Sequence, residues 1–254
     1  MELKIKNFNY KNNLKNICAT FKSGNIYGLY GDNSLLFDKL VSKFVKKDHV
    51  YSFFNNRKKR IVSLDILSMR FYSGSIKSEI NYYCKINNLT DKSFKKVIEE
   101  YIGIFGFNRE DFDKPIAEMS YSEKALFYIF INTLFDFDIV FLKNIFSFLD
   151  RNNRKKISDL ILKLKNEGKI IFVNEKDINI LYKISDYLLY FDENKLCKTV
   201  STNDFYNSID YLIEKNFDIP DKLLFIYLAK TRKNIKLTYL DDVRDIIKDV
   251  YKHI

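Results

Sequence analysis

The residues best placed to do chemistry lie in Gly24-Asn25-Ile26-Tyr27-Gly28-Leu29-Tyr30-Gly31-Asp32-Asn33-Ser34-Leu35-Leu36-Phe37-Asp38-Lys39-Leu40. Ile26, Leu29 and Tyr30 read as a short strand and Gly31 to Asn33 as a turn. Leu36, Leu40 and Phe44, at i, i+4 and i+8, read as one face of a helix. A strand, a glycine turn and a helix N-terminus form a phosphate cradle when they carry G-x-x-x-x-G-K-S/T. Backbone N–H groups then close on the phosphates, the lysine reaches the outer ones, and the hydroxyl holds magnesium. Here Gly31 opens the turn, but Leu36-Phe37-Asp38 stand where Gly-Lys-Ser/Thr would. Phe37 can donate nothing, and Asp38 would repel phosphate. Lys39 lies about 200° round the helix from Phe37 and cannot replace the missing lysine. The outline of the cradle is kept and its donors are gone. Alone, the stretch also fits an ordinary strand–turn–helix.

The elements that must position these residues follow from the rest of the 254-residue chain, which is long enough for one large or two small domains. Residues 2–30 read as three short strands. Residues 34–46 continue as the helix after the turn, and Ile61-Val62-Ser63-Leu64 forms another strand. Residues 75–118 read as helical, with Phe94, Val97, Ile98, Tyr101, Ile102 and Phe105 on one apolar side. Ser120 and Glu123 form a capping box ahead of an apolar helix. Ile139-Val140-Phe141-Leu142 and Ile170-Ile171-Phe172-Val173 are continuous apolar runs, as strands buried on both faces require. A helix between them is stopped by Gly168. Tyr187 to Phe191 is a third such strand. Thr238 and Asp241 are placed to cap a last helix with Leu240, Val243, Ile246, Ile247 and Val250 on its buried side. Strands alternating with helices predict an α/β sheet, mostly parallel.

Composition bounds the function. The net charge of +10 comes from lysines scattered along the chain. A compositional bias or a weak attraction to anionic surfaces both fit, and no nucleic-acid motif is present. Cys18, Cys84 and Cys197 have no metal-ligand spacing and suggest a reducing compartment. The N-terminus alternates like a strand and lacks a signal-peptide core. The longest apolar run, Ala125 to Ile131, is too short to span a bilayer, so any membrane role is expected to go through a partner.

The order of these motifs along the chain resembles the ATP-binding subunit of an ABC transporter. In that family the phosphate loop is followed by a Gln-bearing loop, a helical subdomain and an L-S-G-G-Q signature. A strand ending in Asp-Glu, a G-L-D loop and a strand ending in His come next. Met119-Ser120-Tyr121-Ser122-Glu123 falls at the signature and Ile139 to Asn144 at the Asp-Glu strand. Ser147-Phe148-Leu149-Asp150 matches S-G-L-D, and Val173-Asn174-Glu175 stands at V-T-H. Tyr10 matches the aromatic residue that stacks on adenine. The tail, with Leu212 to Pro220, and the stretches at Leu64-Asp65 and Phe71 to Ile76 look like energy-coupling-factor ATPases. Those pair as homo- or heterodimers under a membrane scaffold that serves vitamin and metal-ion importers.

The resemblance implies a P-loop NTPase (RecA-like) fold, α/β with a mostly parallel sheet. Its core would be residues 1–64 and 135–200, with a helical subdomain insert at 65–134 and a helical C-terminal extension at 201–254. It also implies lost hydrolysis, because phosphoryl transfer needs magnesium, donors and a positioned water. Lys143 replaces a metal-side carboxylate and would repel the ion. Asn144 replaces the general base and has no basic lone pair at neutral pH. Glu175 replaces the switch histidine, and the chain contains no Gln for the magnesium loop. The vestigial nucleotide-site positions are therefore Tyr10, Gly31, Asn33, Phe37, Asp38, Ser120, Lys143, Asn144, Asp150 and Glu175. No catalytic residue, metal ligand or cofactor is expected, with ATP and magnesium binding weak or absent. Several readings stay open: Ser120 as helix cap or phosphate contact, Tyr10 as adenine stack or strand-end packing, Asp150 as partner contact or cap. Lys143 is expected to pair with Asp38, with Glu175 as rival partner.

The expected function is a non-catalytic subunit of an energy-coupling-factor-type importer. It would sit on the cytoplasmic face of the membrane, bound to a transmembrane scaffold and to a second ABC ATPase subunit in a head-to-tail dimer, with no nucleic acid. The alternatives are a soluble interaction or regulatory protein of the same fold, and an active transport ATPase with unusual site residues.

Overall fold

The computed structural model describes residues 2–10, 14–31, 61–86, 95, 96, 99, 109–133, 137–147, 149–193, 195–235, 237 and 242–252. Strands β1 (Glu2–Tyr10) and β2 (Leu14–Lys22) pair antiparallel as a separate ribbon. The main sheet is built from β3 (Asn25–Gly31), β4 (Ile61–Asp65), β5 (Ile139–Lys143), β6 (Ile170–Asn174), β7 (Tyr187–Asp192) and β8 (Lys195–Ser201). Its order is β4-β5-β6-β3-β7-β8, parallel throughout except for the β7–β8 edge. The expected neighbours are in place: β5 and β6 are central, parallel, and adjacent to β3.

The apolar runs are explained by what lies on each face. Successive strand residues point to opposite sides, so a strand covered twice needs apolar residues at every position. On one face Ile26, Val140, Leu142, Ile171 and Val173 join the helices in one core. On the other, Tyr27, Leu29, Phe141 and Phe172 join Leu3 and Phe21 of the β1–β2 ribbon. That second face is aromatic. Phe172 stacks on Phe141 with centroids 4.6 Å apart and takes the edge of Phe21 at 4.8 Å.

The helices are α1 (Ile76–Ile86), α2 (Tyr121–Thr133), α3 (Arg151–Asn166), α4 (Ile178–Ile184), α5 (Ile209–Glu214), α6 (Asp221–Lys233) and α7 (Val243–Tyr251). Helix α2 buries Ala125, Leu126, Phe127, Ile129, Phe130 and Ile131, so it is apolar nearly all round, as a core helix must be. Helix α4 lies hard against β3. A Cβ on Gly28 would come within 2.6 Å of Leu188 Cδ2 and 2.7 Å of Ser185 Oγ. Among the described residues no helix is long and apolar enough to cross a membrane.

Two expectations are corrected. The helical reading of 75–118 does not hold at its end, because Arg109–Asp113 and Ile116–Glu118 are short 3₁₀ turns and Pro115 bridges back to Ser75. Pro115 cannot donate a helical N–H and disfavours helix at the residue before it. The last helix starts later than Thr238 and Asp241 suggest. Asp242 caps it by accepting the Arg244 N–H at 2.8 Å, and Ile247 is half-exposed rather than buried. Leu240, Thr238 and Asp241 lie outside the described residues.

Candidate site at the C-terminal edge of the sheet

Parallel sheets present their chemistry beyond the C-terminal ends of the strands. Register sets the row here. Asp65 pairs with Lys143, Lys143 with Asn174, and Asn174 with Leu29. Three polar residues from three strands thus stand side by side, immediately above the apolar layer of Leu64, Leu142 and Val173.

Asp65 organises this row. Its Oδ1 accepts the Leu67 N–H at 3.0 Å, which caps the 3₁₀ turn Ile66–Ser68, and the Asn144 side-chain amide at 3.1 Å. Its Oδ2 lies 3.8 Å from Lys143 Nζ. Sequence reading expected Asp38 or Glu175 beside Lys143. Asp38 lies outside the described residues, and Asp65 is the carboxylate that the β4–β5 register delivers. Asn144 continues from β5 with φ of 56°, a left-handed conformation that asparagine tolerates better than most side chains. Its N–H donates to the Asn174 carbonyl at 3.0 Å and its carbonyl accepts the Ser147 N–H at 3.1 Å.

Glu175 follows β6 and is 6% exposed. Its carboxylate does not reach out to replace a histidine. It accepts the Phe146 N–H at 2.8 Å and so holds the loop between β5 and α3. Burial pushes its pKa up to about 7, against the opposing pull of the Phe146 N–H and the Arg154 charge. Asp150 closes the same loop as the cap of α3. It accepts the Asn153 N–H at 2.9 Å, and that bond, first among several, holds its carboxyl below the usual range. Ser120 and Glu123 form the capping box. The Ser120 N–H donates to Glu123 at 2.7 Å, and the Glu123 N–H donates to Ser120 Oγ at 3.2 Å. Tyr121, beside it, donates its hydroxyl to the Ile66 carbonyl at 3.4 Å and so reaches across to the turn that Asp65 caps.

Gly31 ends β3 with φ of 93°, and a Cβ there would fall 2.1 Å from the Phe191 carbonyl oxygen. Only glycine fits. Tyr30, just before it, donates its hydroxyl to the Asp218 carboxylate, and Tyr190 donates to the Asp218 carbonyl at 3.3 Å. Burial, with Asp218 second, raises the Tyr30 pKa. The tail is therefore fastened to the strand that leads into the phosphate-loop position. Asn179 and Asp221 add a reciprocal pair, each bond 2.9 Å. Tyr10 ends β1 opposite Leu14. Asn33 and Phe37, like Asp38, lie outside the described residues.

The structure thus brings together Lys143, Asn144 and Glu175, with Ser120 and Asp150 in helix caps. Asp65 and Asp218 were missed as site residues. Asp65 carried a faint signal, since it follows an apolar strand and precedes Ile66-Leu67, where a cap belongs. Asp218 carried none.

Known proteins share this fold. No protein-family model matches the chain. An ABC transporter ATP-binding protein of Mycoplasma genitalium is 20% identical over 270 residues, covering 99% of both chains. The energy-coupling factor transporter ATP-binding protein EcfA2 of Mycoplasma mobile is 21% identical over 164 residues, 65% of this chain and 53% of its own length. Among solved structures, CbiO1 of Clostridium perfringens, part of the ABC transporter complex CbiONQ, superposes with a TM-score of 0.67 at 18% identity. That match covers 89% of this chain and 98% of CbiO1. The chain has the P-loop NTPase fold of ABC ATPases, and its homologues are ABC transporter ATP-binding proteins, an energy-coupling-factor ATPase among them.

Proposed function

We propose that the chain is a non-catalytic ATP-binding-cassette subunit of an energy-coupling-factor-type importer, working beside an intact second ATPase and a transmembrane scaffold. The observation that carries the reading is the row at the sheet edge. An ammonium and a neutral amide, Lys143 and Asn144, stand where hydrolysis would need a metal-side carboxylate and a base. Both engage the Asp65 carboxylate, at 3.8 Å and 3.1 Å. A cation beside the metal position repels the metal, and an amide whose N–H is spent on Asp65 leaves only a weakly basic oxygen. Glu175, bonded to a backbone N–H at 2.8 Å, adds no switch donor. Among the described residues, Lys143, Asn144 and Glu175 offer no ligand set for magnesium. Tyr121 and Ser122, in place of signature glycines, extend the loss to the partner's half of a shared site.

In this reading the helical stretch 65–134 and the loop after Leu64 dock on the scaffold. Ser147 to Asp150 and the tail face the second subunit, which supplies the working chemistry. The protein would then sit on the inner face of the membrane without entering it. Calorimetry with Mg-ATP tests the reading directly. Affinity is expected at least about 100-fold below that of an ordinary P-loop protein, since a charge-assisted lysine and a metal-bound hydroxyl are both missing, together about 3 kcal/mol or more. Phosphate release is expected to match a Phe37→Ala control. A micromolar dissociation constant, or turnover above that control, overturns it. Co-purification with a membrane protein separates the transporter role from a soluble regulatory one.

A further inference from the structure

Beyond its Asp150 cap, helix α3 opens with cations as its only charged side chains. A helix N-terminus carries partial positive charge and favours acidic side chains. Yet α3 opens Arg151-Asn152-Asn153-Arg154-Lys155-Lys156 with no acidic residue in its first turn. Among the described residues Arg151, Arg154 and Lys155 form no ion pair. Arg154 contributes its field to Glu175, and the Asp150 cap is already engaged with Asn153. Arg151, Arg154 and Lys155 are all exposed.

The run borders a groove of about 760 Å³ between α3 and α4. Its wall is apolar, formed by Phe146, Ile161, Leu162, Ile180 and Ile184. Arg151, Arg154, Lys155 and Lys183 stand round it, with Asp159 the one acidic side chain among the described lining residues. Leu162 is 49% exposed there, high for a leucine facing a wall of its own kind. An apolar trough rimmed by exposed cations has the complementary shape and charge of one kind of occupant, an amphipathic helix with an apolar stripe flanked by Glu and Asp.

From this complementarity we infer that the α3–α4 groove is a docking site for an acidic amphipathic helix of a different protein. A second copy of this chain is a poor occupant. A two-fold contact through this face would set one basic rim against another, and the segment required is acidic while the chain is strongly basic. The groove adjoins the nucleotide edge, since Phe146 and Arg154 also face Glu175, but the docking needs no nucleotide and no scaffold and so stands apart from the transporter reading.

The probe is a fluorescein-labelled helical peptide of about 18 residues, long enough to hold a helix, with Leu at i, i+3, i+4 and i+7, Glu flanking that stripe and Ala elsewhere. Polarisation with the intact chain should give a dissociation constant in the micromolar range that weakens as salt rises. The triple variant Arg151→Glu/Arg154→Glu/Lys155→Glu and the single variant Leu162→Asp should each weaken it at least about tenfold. All four positions are exposed or half-exposed, and circular dichroism checks that the fold is kept. Equal binding of a scrambled peptide of the same composition reduces the effect to bulk charge and overturns the proposal. Unchanged affinity in the variants does the same. Binding of phosphatidylglycerol vesicles in place of the peptide would reassign the rim to a lipid surface. Self-association broken by Leu162→Asp would reassign the groove to a second copy. Either outcome overturns the proposal.

Discussion

The interior of the sheet and its C-terminal edge lie within one residue of each other, yet they obey different rules. Leu64, Leu142 and Val173 in one row, with Phe141 and Phe172 below, need only be apolar and of fitting size. The next row, Asp65, Lys143 and Asn174, is defined by the identity of each group. Residues in the first region can change type without changing the fold, as long as volume and pattern hold. In the second, one change of type alters the chemistry and leaves the fold untouched. That is how a chain 18% identical to a solved ABC ATPase can superpose over 89% of its length and still present an ammonium at the edge of its central sheet.

The sharpest break of the interior is Phe172→Ala. The ring stacks on Phe141 at 4.6 Å, meets Phe21 at 4.8 Å and lies 5.6 Å from Tyr27, so its loss empties the joint between the sheet and the β1–β2 ribbon. Chemical denaturation is expected to show a loss of about 3–5 kcal/mol. A cost below about 1 kcal/mol would mean that the ribbon does not rest on this ring. Phe172→Leu, which keeps most of the volume, should recover most of the stability.

The next largest effect belongs to the edge and depends on pH. Burial raises the Glu175 pKa from its ordinary value of 4.5 to about 7, so the folded state holds the proton more tightly than the unfolded chain does. Stability is therefore fully present below about 4.5 and falls as pH rises towards 7, by up to about 1.4 kcal/mol per pH unit. Glu175→Gln keeps an oxygen to accept the Phe146 N–H and removes the charge. It should flatten the profile and stabilise the protein at pH 8 by roughly 1–3 kcal/mol. A parallel shift of the whole profile would show that Glu175 is not the titrating group.

These two regions were not equally legible. The buried strands announce themselves as unbroken apolar runs, and the Ser120–Glu123 box and the Asp150 cap are local patterns with fixed spacing. Each is set by residues that are neighbours in the chain. The edge cluster is not. Asp65 and Asn144 are 79 residues apart and meet only because β4 and β5 pair in parallel with one register. That register has no local mark in the chain, so the contact of Asp65 with Lys143 is not legible from sequence, while Asp38 lies outside the described residues. The misreading near Pro115 and at Ile247 has another cause. Near Pro115 the proline fixes turns in place of helix, whereas Ile247 lies within the helix that Asp242 caps, on a different face from buried Ile246.

Asp65 should matter more than the cation it faces. Asp65→Ala removes the cap on Leu67 and the acceptor of the Asn144 amide, leaving a left-handed asparagine without its anchor. A loss of about 1–2 kcal/mol is expected from a cap and one side-chain hydrogen bond. Asp65→Asn should keep the cap and cost less. Equal losses for the two variants would show that the charge, and not the acceptor geometry, is what the edge needs.

The smallest effect is expected at Lys143, the residue whose identity is most telling for function. Its ammonium lies 3.8 Å from Asp65 Oδ2, with side-chain exposures of 21% and 28% for the pair. That is a long contact in a partly solvated place, where attraction is weak and the ordering of a flexible side chain offsets much of it. Lys143→Met, which keeps an unbranched apolar stem, should change stability by only about 0–1 kcal/mol. The double variant with Asp65→Asn should show a coupling of similar size, because the pair is one of several contacts Asp65 makes. A coupling of about 3 kcal/mol or more would instead mark a desolvated ion pair whose separation leaves a buried charge. Lys143 would then be a structural keystone of the edge. The near-neutral outcome fits a position released from the demands of metal chemistry, where a cation costs the fold little.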